Sequence, residues 1–339
     1  MTAGVQMAAE MAQQPAVLRA LAGRADAIAD AVRQIAPHPL AGTAIVARGS
    51  SDHASVYGRY LLELATGRPV SLAAPSLHLL YRAQVDYTGQ LAIAVSQSGR
   101  TPEIVTTLTR LREQGARGLA ITNDASSDLA GAADLLVALE AGEELAVPAT
   151  KTVTAQLLAF ALVARALGPV PFGDDDLAEL PAAVADVLAD AAPARAVAAQ
   201  LAGEDRLVVT ARGLLYGAAL EAALKLQETS AISADGLSAA DLRHGPIAIV
   251  QPGFPVLVLD GPGPAHADAV DLIGDLRGRG ARVWTIAPGA DADLPLPDVT
   301  EGLLPVVAVV RAQQLARELA LAHGRDPDAP AGLRKVTAT

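Results

Sequence analysis

The sequence predicts an α/β protein in which helices cover both faces of a parallel sheet, and it predicts that this unit occurs twice. Short, continuous apolar runs alternate with helical patterns, which is typical of parallel strands buried on both faces. Aromatic residues make up only 3% of the chain, and the small side chains that replace them allow close packing of helices on a sheet. With 339 residues, the chain is long enough for two such domains.

Strand and helix patterns alternate through the first half. The expected strands there are 43–47, 91–95, 118–122 and 135–139. After the second of them, Pro102 to Gln114 predicts a helix, because Ile104, Leu108 and Leu111 recur at the spacing of one helical face.

The loop Ser96–Thr101 between that strand and that helix carries three hydroxyls and a glycine. Thr101 stands at the N-cap position and Pro102 at the first helical position. Backbone N–H groups and the positive end of the helix dipole favour an anion there, and phosphate is the usual one. The loop lacks the Gly-Lys-Ser/Thr ending of a nucleotide-binding P-loop, so we expect a phosphorylated small molecule.

The second half repeats the first at a near-constant offset. Three segments align: 47–49 with 211–213, 95–99 with 259–263, and 114–117 with 279–282. The second copy has Asp260 in place of Ser96, so we expect only the first copy to hold phosphate. The join is expected between Gly168 and Asp176, followed by a helix to about Leu201.

The bulk composition excludes several classes of function. A net charge of −11 argues against nucleic acid and anionic membrane surfaces as partners. The chain has no cysteine, hence no disulfide, thiolate nucleophile or cysteine metal site. The N-terminus does not resemble a signal peptide, and the apolar runs are too short to span a bilayer. We therefore expect a cytoplasmic protein.

Two further segments of the first half are candidate ligand contacts. Gly49, Ser50 and Ser51 follow the first strand; a tight turn would explain them, but two hydroxyl-rich loops at adjacent strand ends favour a ligand site. We expect His53, in the next helix, to be packed or solvated rather than catalytic. Residues 147–152 precede an apolar helix over 153–167; either Thr150 or Thr152 caps that helix, or the segment forms a wall of a sugar pocket.

The second half carries the candidate catalytic groups. Glu221, Lys225 and Glu228 share one face of a helix predicted over 217–230; they form either a solvated salt-bridge ladder or a tuned base at Glu228. His244 precedes Gly-Pro, at a rigid element end suited to a proton shuttle. Lys335 lies either in a frayed tail or in one that supplies an amine for a Schiff base.

These motifs, in this order, resemble the sugar isomerase (SIS) domain family over nearly the whole chain from about residue 10. The order is that of the isomerase half of glutamine–fructose-6-phosphate aminotransferases, and the combination is most similar to stand-alone SIS-type glucosamine-6-phosphate deaminases. The resemblance implies two tandem SIS domains, each a three-layer αβα sandwich around a mainly parallel five-stranded sheet of the flavodoxin-like type. The implied parts are an N-terminal helical segment (1–30), a phosphate-binding first domain (31–168), a linker and helix (169–193), a catalytic second domain (194–325) and a tail over the active site (326–339).

The resemblance also implies residue roles. Glu228 would move a proton between C1 and C2, His244 would open the sugar ring from the partner subunit of a homodimer, and Lys335 would form a Schiff base with the open-chain ketose. The implied substrate and phosphate contacts are Gly49, Ser50, Ser51, Ser96, Gln97, Ser98, Thr101, Val147, Ala149 and Lys225. No metal or cofactor is implied. Ala149 stands where the aminotransferase pattern has serine.

The implied function is a glucosamine-6-phosphate deaminase that yields fructose 6-phosphate and ammonia. With no glutaminase domain and no cysteine at position 2, we expect no ammonia from glutamine by that route. Four alternatives remain open: a fructosamine-6-phosphate deglycase, a galactosamine-6-phosphate deaminase/isomerase, a glutaminase-less isomerising aminotransferase and, outside enzymes, a sugar-phosphate-sensing regulator.

Overall fold

The computed structural model describes residues 3–335. Through residue 170, the elements in chain order are α1 (Val5–Ala12), α2 (Gln14–Ala22), α3 (Ala25–Ile35), β1 (Gly42–Val46), α4 (Ser50–Thr66), β2 (Val70–Leu72), α5 (Pro75–Leu79), β3 (Gln90–Val95), α6 (Pro102–Glu113), β4 (Arg117–Thr122), α7 (Asp128–Ala132), β5 (Leu135–Ala138) and α8 (Lys151–Leu167). Beyond it are α9 (Asp174–Ala189), α10 (Ala192–Leu201), β6 (Arg206–Ala211), α11 (Tyr216–Ser230), β7 (Ser233–Ser238), α12 (Ala239–Arg243), β8 (Pro255–Leu259), α13 (His266–Gly278), β9 (Arg282–Pro288), β10 (Leu294–Leu296) and α14 (Leu304–Ala322).

The chain forms two compact units. The N-unit comprises residues 17–144 and 151–170; the C-unit comprises the described residues 3–16, 145–150 and 171–335. Two short segments from the first half, 3–16 and 145–150, thus belong to the unit built mainly from the second half.

The N-unit holds a five-stranded sheet with the order β2-β1-β3-β4-β5, and all its pairs are parallel. Every residue of β1 is buried, as expected for a strand covered on both faces. On one face, Ala44 and Ala92 pack with the predicted helix residues Ile104, Leu108 and Leu111 of α6. The apolar periodicity of α6 is therefore confirmed as core packing.

Elsewhere in the N-unit, α4 and α8 pack closely because Gly58 of α4 has no side chain. A side chain at Gly58 would collide with the ring of Phe160, since a Cβ there would lie 2.3 Å from a ring carbon. The expected close packing of helices is thus present at α4 and α8.

The C-unit sheet has the order β7-β6-β8-β9-β10, also parallel. Position for position, this is the strand order of the N-unit, and the predicted repeat is confirmed. The backbone repeats as well, because Gly49 and Gly213 have φ of 56° and 64°, and Gly99 and Gly263 have φ of 63° and 109°. Both units share the flavodoxin-like 2-1-3-4-5 order.

One expected element differs. The helix predicted to run to about Leu201 is two helices, α9 and α10, that break at Asp190 and Ala191. Pro193 lies in the first turn of α10 and has no N–H to continue a helix from α9. The Asp190 carboxylate accepts the N–H of Ala192, the first residue of α10, at 2.9 Å. Within residues 3–335, no helix combines the length and apolarity needed to cross a bilayer.

Candidate active site

The Gly49 and Ser96 loops lie at the topological switch point of the N-unit sheet. They follow β1 and β3, which are adjacent and parallel, with Val46 opposite Ala94. Open α/β sheets bind ligands at this crevice beyond the carboxyl ends of the strands. Arg48 joins the two loops, because its Nε lies 2.9 Å from the Glu103 carboxylate in the first turn of α6.

The Ser96 loop is held by its own hydrogen bonds. Ser96 is buried, and its Oγ accepts the N–H of Gly99 at 3.2 Å. Thr101 occupies the predicted N-cap position, but its hydroxyl lies 3.4 Å from Ser96 Oγ and makes no cap bond. The half-buried Ser98 accepts the N–H of Arg100 at 3.3 Å.

Neighbouring strand β4 fixes the remaining part of this loop. The carbonyl of Gln97 accepts the Asn123 N–H at 3.1 Å and the Thr122 hydroxyl at 3.3 Å. The Arg100 guanidinium pairs with Asp124 at 2.9 Å. A rigid loop with hydroxyls at a helix start is suited to bind an oxyanion.

The two serines after Gly49 differ in their surroundings. Ser51 is buried, and its Oγ accepts the side-chain N–H of Gln156 from α8 at 3.0 Å, whereas Ser50 is half-buried. His53 is half-buried on α4, as expected. Burial raises the pKa of Asp52 above its ordinary value, against the opposing charges of His53 and Arg48.

At the start of α8, the candidate cap Thr152 acts as a hydrogen-bond donor. The acceptor is the buried carboxylate of Glu144, which takes the Thr152 N–H at 3.1 Å and the Thr152 hydroxyl at 2.7 Å. An acidic group favours this end of a helix. Thr152 therefore donates at the helix start, and a residue outside the motif supplies the acceptor.

Glu221, Lys225 and Glu228 form a buried charge triad on α11, which excludes the solvated ladder. The side chains of Glu221 and Lys225 are each 1% exposed, and that of Glu228 is 22% exposed. Lys225 Nζ lies 3.4 Å from Glu221 and hydrogen-bonds Glu228. Burial alone would lower the pKa of Lys225, but the two carboxylates outweigh it and raise the pKa above its ordinary 10.5. The lysine therefore stays charged beside a carboxylate that reaches the surface.

His244 ends α12 and is exposed. Its N–H is donated to the carbonyls of Ala240 and Asp241, and Gly245 follows with a φ of 126°. Arg243, one residue earlier, pairs with Asp268 of α13 at 2.7 Å. The backbone around His244 is thus fixed while its ring faces solvent.

Lys335 and Val147 are brought together in the C-unit. Lys335 Nζ donates to the carbonyl of Ala146 at 2.8 Å. The N–H of Val147 donates to the carbonyl of Asp328, also in the tail, at 2.9 Å. Ala149 is half-buried in the same segment. The tail beyond Lys335, including Val336 and Thr337, lies outside the described residues.

The C-unit loop that corresponds to Ser96–Thr101 has another chemistry. Asp260 accepts the Gly261 N–H at 2.8 Å and contacts His266 Nδ1 at 2.9 Å. It opens on a cavity of about 880 Å³, whose charged or titratable lining residues are Asp176, Glu179, Asp186, Asp260, His266 and Asp298. As expected, this copy presents carboxylates where the other presents hydroxyls. No three acidic or histidine side chains come together as a potential metal site anywhere in residues 3–335.

Sequence reasoning missed Glu10, which is 5% exposed on α1. Its carboxylate accepts the N–H groups of Leu145 and Ala146, the second at 3.2 Å. Its position in the sequence could have indicated that it is buried, because Glu10 lies on the same face of α1 as Met7 and Met11. A carboxylate on an apolar helix face usually has a buried partner.

Two copies of a flavodoxin-like fold, with a hydroxyl-lined loop at the switch point of the first copy, define the class of α/β protein to which this chain belongs. Within that class, the chain belongs to the SIS domain family, whose model matches residues 43–166 and 200–295.

Individual relatives agree with this assignment. Glutamine–fructose-6-phosphate aminotransferase (isomerizing) of Streptomyces coelicolor is 36% identical over 97% of this chain and 58% of its own length. The chain thus spans little more than half the length of the curated relatives it matches. A crystal structure from Silicibacter pomeroyi DSS-3, assigned provisionally as a phosphosugar isomerase, is 31% identical with a TM-score of 0.85, covering 95% of this chain and 99% of that one. Glucosamine-6-phosphate deaminase of Thermotoga maritima shares the fold, with a TM-score of 0.76 at 22% identity over 96% of this chain and 100% of its own.

Proposed function

We propose that the protein deaminates glucosamine 6-phosphate to fructose 6-phosphate and ammonia. The observation that carries the proposal is the buried triad Glu221–Lys225–Glu228. Burying charges is costly and weak evidence for stability, whereas perturbed, partly open ion clusters are typical of catalytic sites. The anion cradle at Ser96 supports a phosphorylated substrate, and the family of the chain supports a phosphosugar.

In this proposal the two units have separate tasks. The loop Ser96–Thr101, with Ser50 and Ser51, binds the phosphate and the sugar hydroxyls. Binding energy from the phosphate positions carbons that are remote from it for proton transfer. Glu228, His244 and Lys335 act on C1 and C2.

The steps balance with one water consumed. His244 moves the proton that opens the ring, giving a C1 aldehyde and a C2 amine. Glu228 removes the C2 proton and returns it at C1, while the C1 oxygen gains a proton and the C2 nitrogen loses one, which leaves a C1 hydroxyl and a C2 imine. The deprotonated Lys335 amine then adds to C2, the imine nitrogen leaves as ammonia, and a Schiff base between Lys335 and C2 remains. Water hydrolyses that Schiff base to the C2 ketone and restores the lysine.

The direct test is ammonia release from glucosamine 6-phosphate by the purified protein, coupled to detection of fructose 6-phosphate. Equimolar formation of both products is the expected result. Galactosamine 6-phosphate and fructosamine 6-phosphate are assayed in parallel. Turnover of fructosamine 6-phosphate without turnover of glucosamine 6-phosphate would replace the deaminase with a deglycase.

A second candidate is the same chemistry in the amination direction. It is favoured by the 36% identity to an isomerizing aminotransferase. The test is formation of glucosamine 6-phosphate from fructose 6-phosphate and ammonium chloride, at several ammonium concentrations. If amination of fructose 6-phosphate at low millimolar ammonium is faster than deamination of glucosamine 6-phosphate, the amination function is favoured.

The remaining expectations stay predictions. These are a homodimer whose partner supplies His244, a cytoplasmic location, and the domain boundaries given above. Analytical ultracentrifugation, together with complementation between a His244→Ala and a Glu228→Gln protein, tests the shared site.

A further inference from the structure

A buried carboxylate contacts the start of the segment 145–150 in the C-unit. Glu10 is 5% exposed, and one of its oxygens accepts both the Leu145 and the Ala146 N–H groups. Leu145 is 53% exposed, so its side chain gives the segment little anchorage. Ala146 packs with Met7 and Met11, but apolar contact does not specify where a carbonyl points.

The peptide group between Ala146 and Val147 contacts Lys335. The Ala146 carbonyl accepts the Lys335 ammonium at 2.8 Å, and the Val147 N–H at the other end of that peptide donates to the Asp328 carbonyl at 2.9 Å. Since a peptide group is planar, these two contacts orient the peptide between Ala146 and Val147. Glu10 orients the preceding peptide, between Leu145 and Ala146, by accepting its N–H. The direction of the Ala146 carbonyl is therefore determined from both sides.

Helix α1 and the tail are tied together in the same network. The carboxylate of Asp328 accepts the N–H groups of Met7 at 2.7 Å and Gln6 at 3.0 Å, at the start of α1. Asp326 accepts the Gly4 N–H at 3.0 Å. The helix thus holds the segment through Glu10 and meets the tail through its first turn.

We propose that Glu10 is the positioning residue for Lys335. The inference rests on the proposed Schiff-base role of that lysine. By orienting the Ala146 carbonyl, Glu10 holds the ε-amino group at one place, from which it attacks C2 of the open-chain ketose. Misplacing an attacking group by about 1 Å costs on the order of 100-fold in rate.

The test is borohydride trapping with fructose 6-phosphate. The Lys335 amine adds to the C2 ketone, water leaves, and hydride from borohydride reduces the C=N bond to a stable secondary amine, detected by peptide mass. Lys335→Met is the negative control. Asp326→Asn is the matched control, because it alters a carboxylate of the same network that does not touch 145–146.

We expect Glu10→Ala to slow trapping roughly 30-fold. Glu10→Gln, whose amide oxygen can accept the same two N–H groups, should restore trapping to within about threefold of wild type. Fructose 6-phosphate affinity, measured by calorimetry in the Lys335→Met background, should be the same with and without Glu10→Ala. A merely structural defect would weaken trapping and affinity together.

Should Glu10→Ala fail to fold, Glu10→Asp serves instead, since it keeps the charge but withdraws it by one methylene. Trapping of either variant at the wild-type rate overturns the inference and leaves the proposed function intact. Absence of trapping in the wild type, with ammonia release present, overturns both the lysine role and the positioning role. Absence of ammonia release as well overturns the proposed function.

Discussion

The two halves of the chain place different chemistry on one backbone design. The Ser96 loop follows β3 and the Asp260 loop follows β8, and each begins with the same ladder bond, Ser96 N–H to Ile121 at 3.1 Å and Asp260 N–H to Ile286 at 3.0 Å. The first loop then presents hydroxyls, and the second a carboxylate paired with His266. The shared fold thus places a loop at the same position in both units, while the side chains of each loop determine its chemistry.

The difference bears on where phosphate can bind. A dianion beside Asp260 and the other carboxylates of the C-unit cavity would meet like charge, which raises the free energy of binding. In the N-unit loop, the guanidinium of Arg100 is paired with Asp124, so we expect hydroxyls and backbone N–H groups to bind the proposed phosphate. The comparison therefore supports the proposed division, in which the N-unit anchors the phosphate and the buried triad of the C-unit serves the chemistry.

The largest expected effect tests the chemical side of that division. Glu228→Gln should lower kcat for ammonia release by about 1,000-fold, because the amide cannot accept the C2 proton. KM should change little, since the phosphate contacts are unaltered. Steady-state kinetics checks this, with the exposed Glu113→Gln as the control. A Glu228→Gln protein with wild-type kcat would remove the catalytic assignment of the C-unit.

The next effect concerns the stability of the C-unit. Lys225→Met leaves Glu221 and Glu228 without their buried partner and should lower the free energy of unfolding by about 3–5 kcal/mol. Because the folded-state pKa of Lys225 is raised above 10.5, the wild-type advantage is complete below that value. It is lost as the pH rises through the higher folded pKa.

Urea unfolding of both proteins from pH 7 to 11 measures this difference. The gap between wild type and Lys225→Met should be constant from neutral pH to about pH 10 and should narrow above it. A gap that already closes near pH 8 would mean that the lysine is not held charged by its two neighbours.

The fold and the conformation of the hydroxyl-rich loop after β3 could be predicted from sequence, because sequence patterns indicate them. Strand burial and the start of α6 at Pro102 follow from neighbours a few residues apart, and the repeat is visible as matching segments in the two halves. The contacts of Glu10 could not be predicted in this way, since its partners Leu145 and Ala146 lie more than 130 residues away. The burial of Lys225 could not be predicted either, because it depends on the tertiary packing around α11.

A smaller effect tests the anchor itself. Ser98→Ala removes a hydroxyl from the expected phosphate site and should raise KM roughly 10- to 30-fold, the cost of one hydrogen bond to a charged group. The value of kcat should stay near wild type. The exposed Ser71→Ala in β2 is the matched control. If Ser98→Ala lowered kcat and left KM unchanged, the loop would take part in chemistry rather than anchoring.

The smallest expected effect lies at the counterpart of Ser96. Asp260→Ser should alter KM and kcat less than about twofold, because a substitution remote from substrate has only minor effects. Loss of the His266 contact and a weaker Gly261 N–H acceptor should cost about 1 kcal/mol of stability.

One hydroxyl at position 260 does not recreate the hydroxyl-rich loop, since Gly261 and Pro262 still stand where Gln97 and Ser98 stand in the first copy. Inorganic phosphate should therefore inhibit wild type and variant equally. A tenfold change in KM, or a second phosphate in calorimetry, would show that the two loops are more alike in function than their side chains indicate.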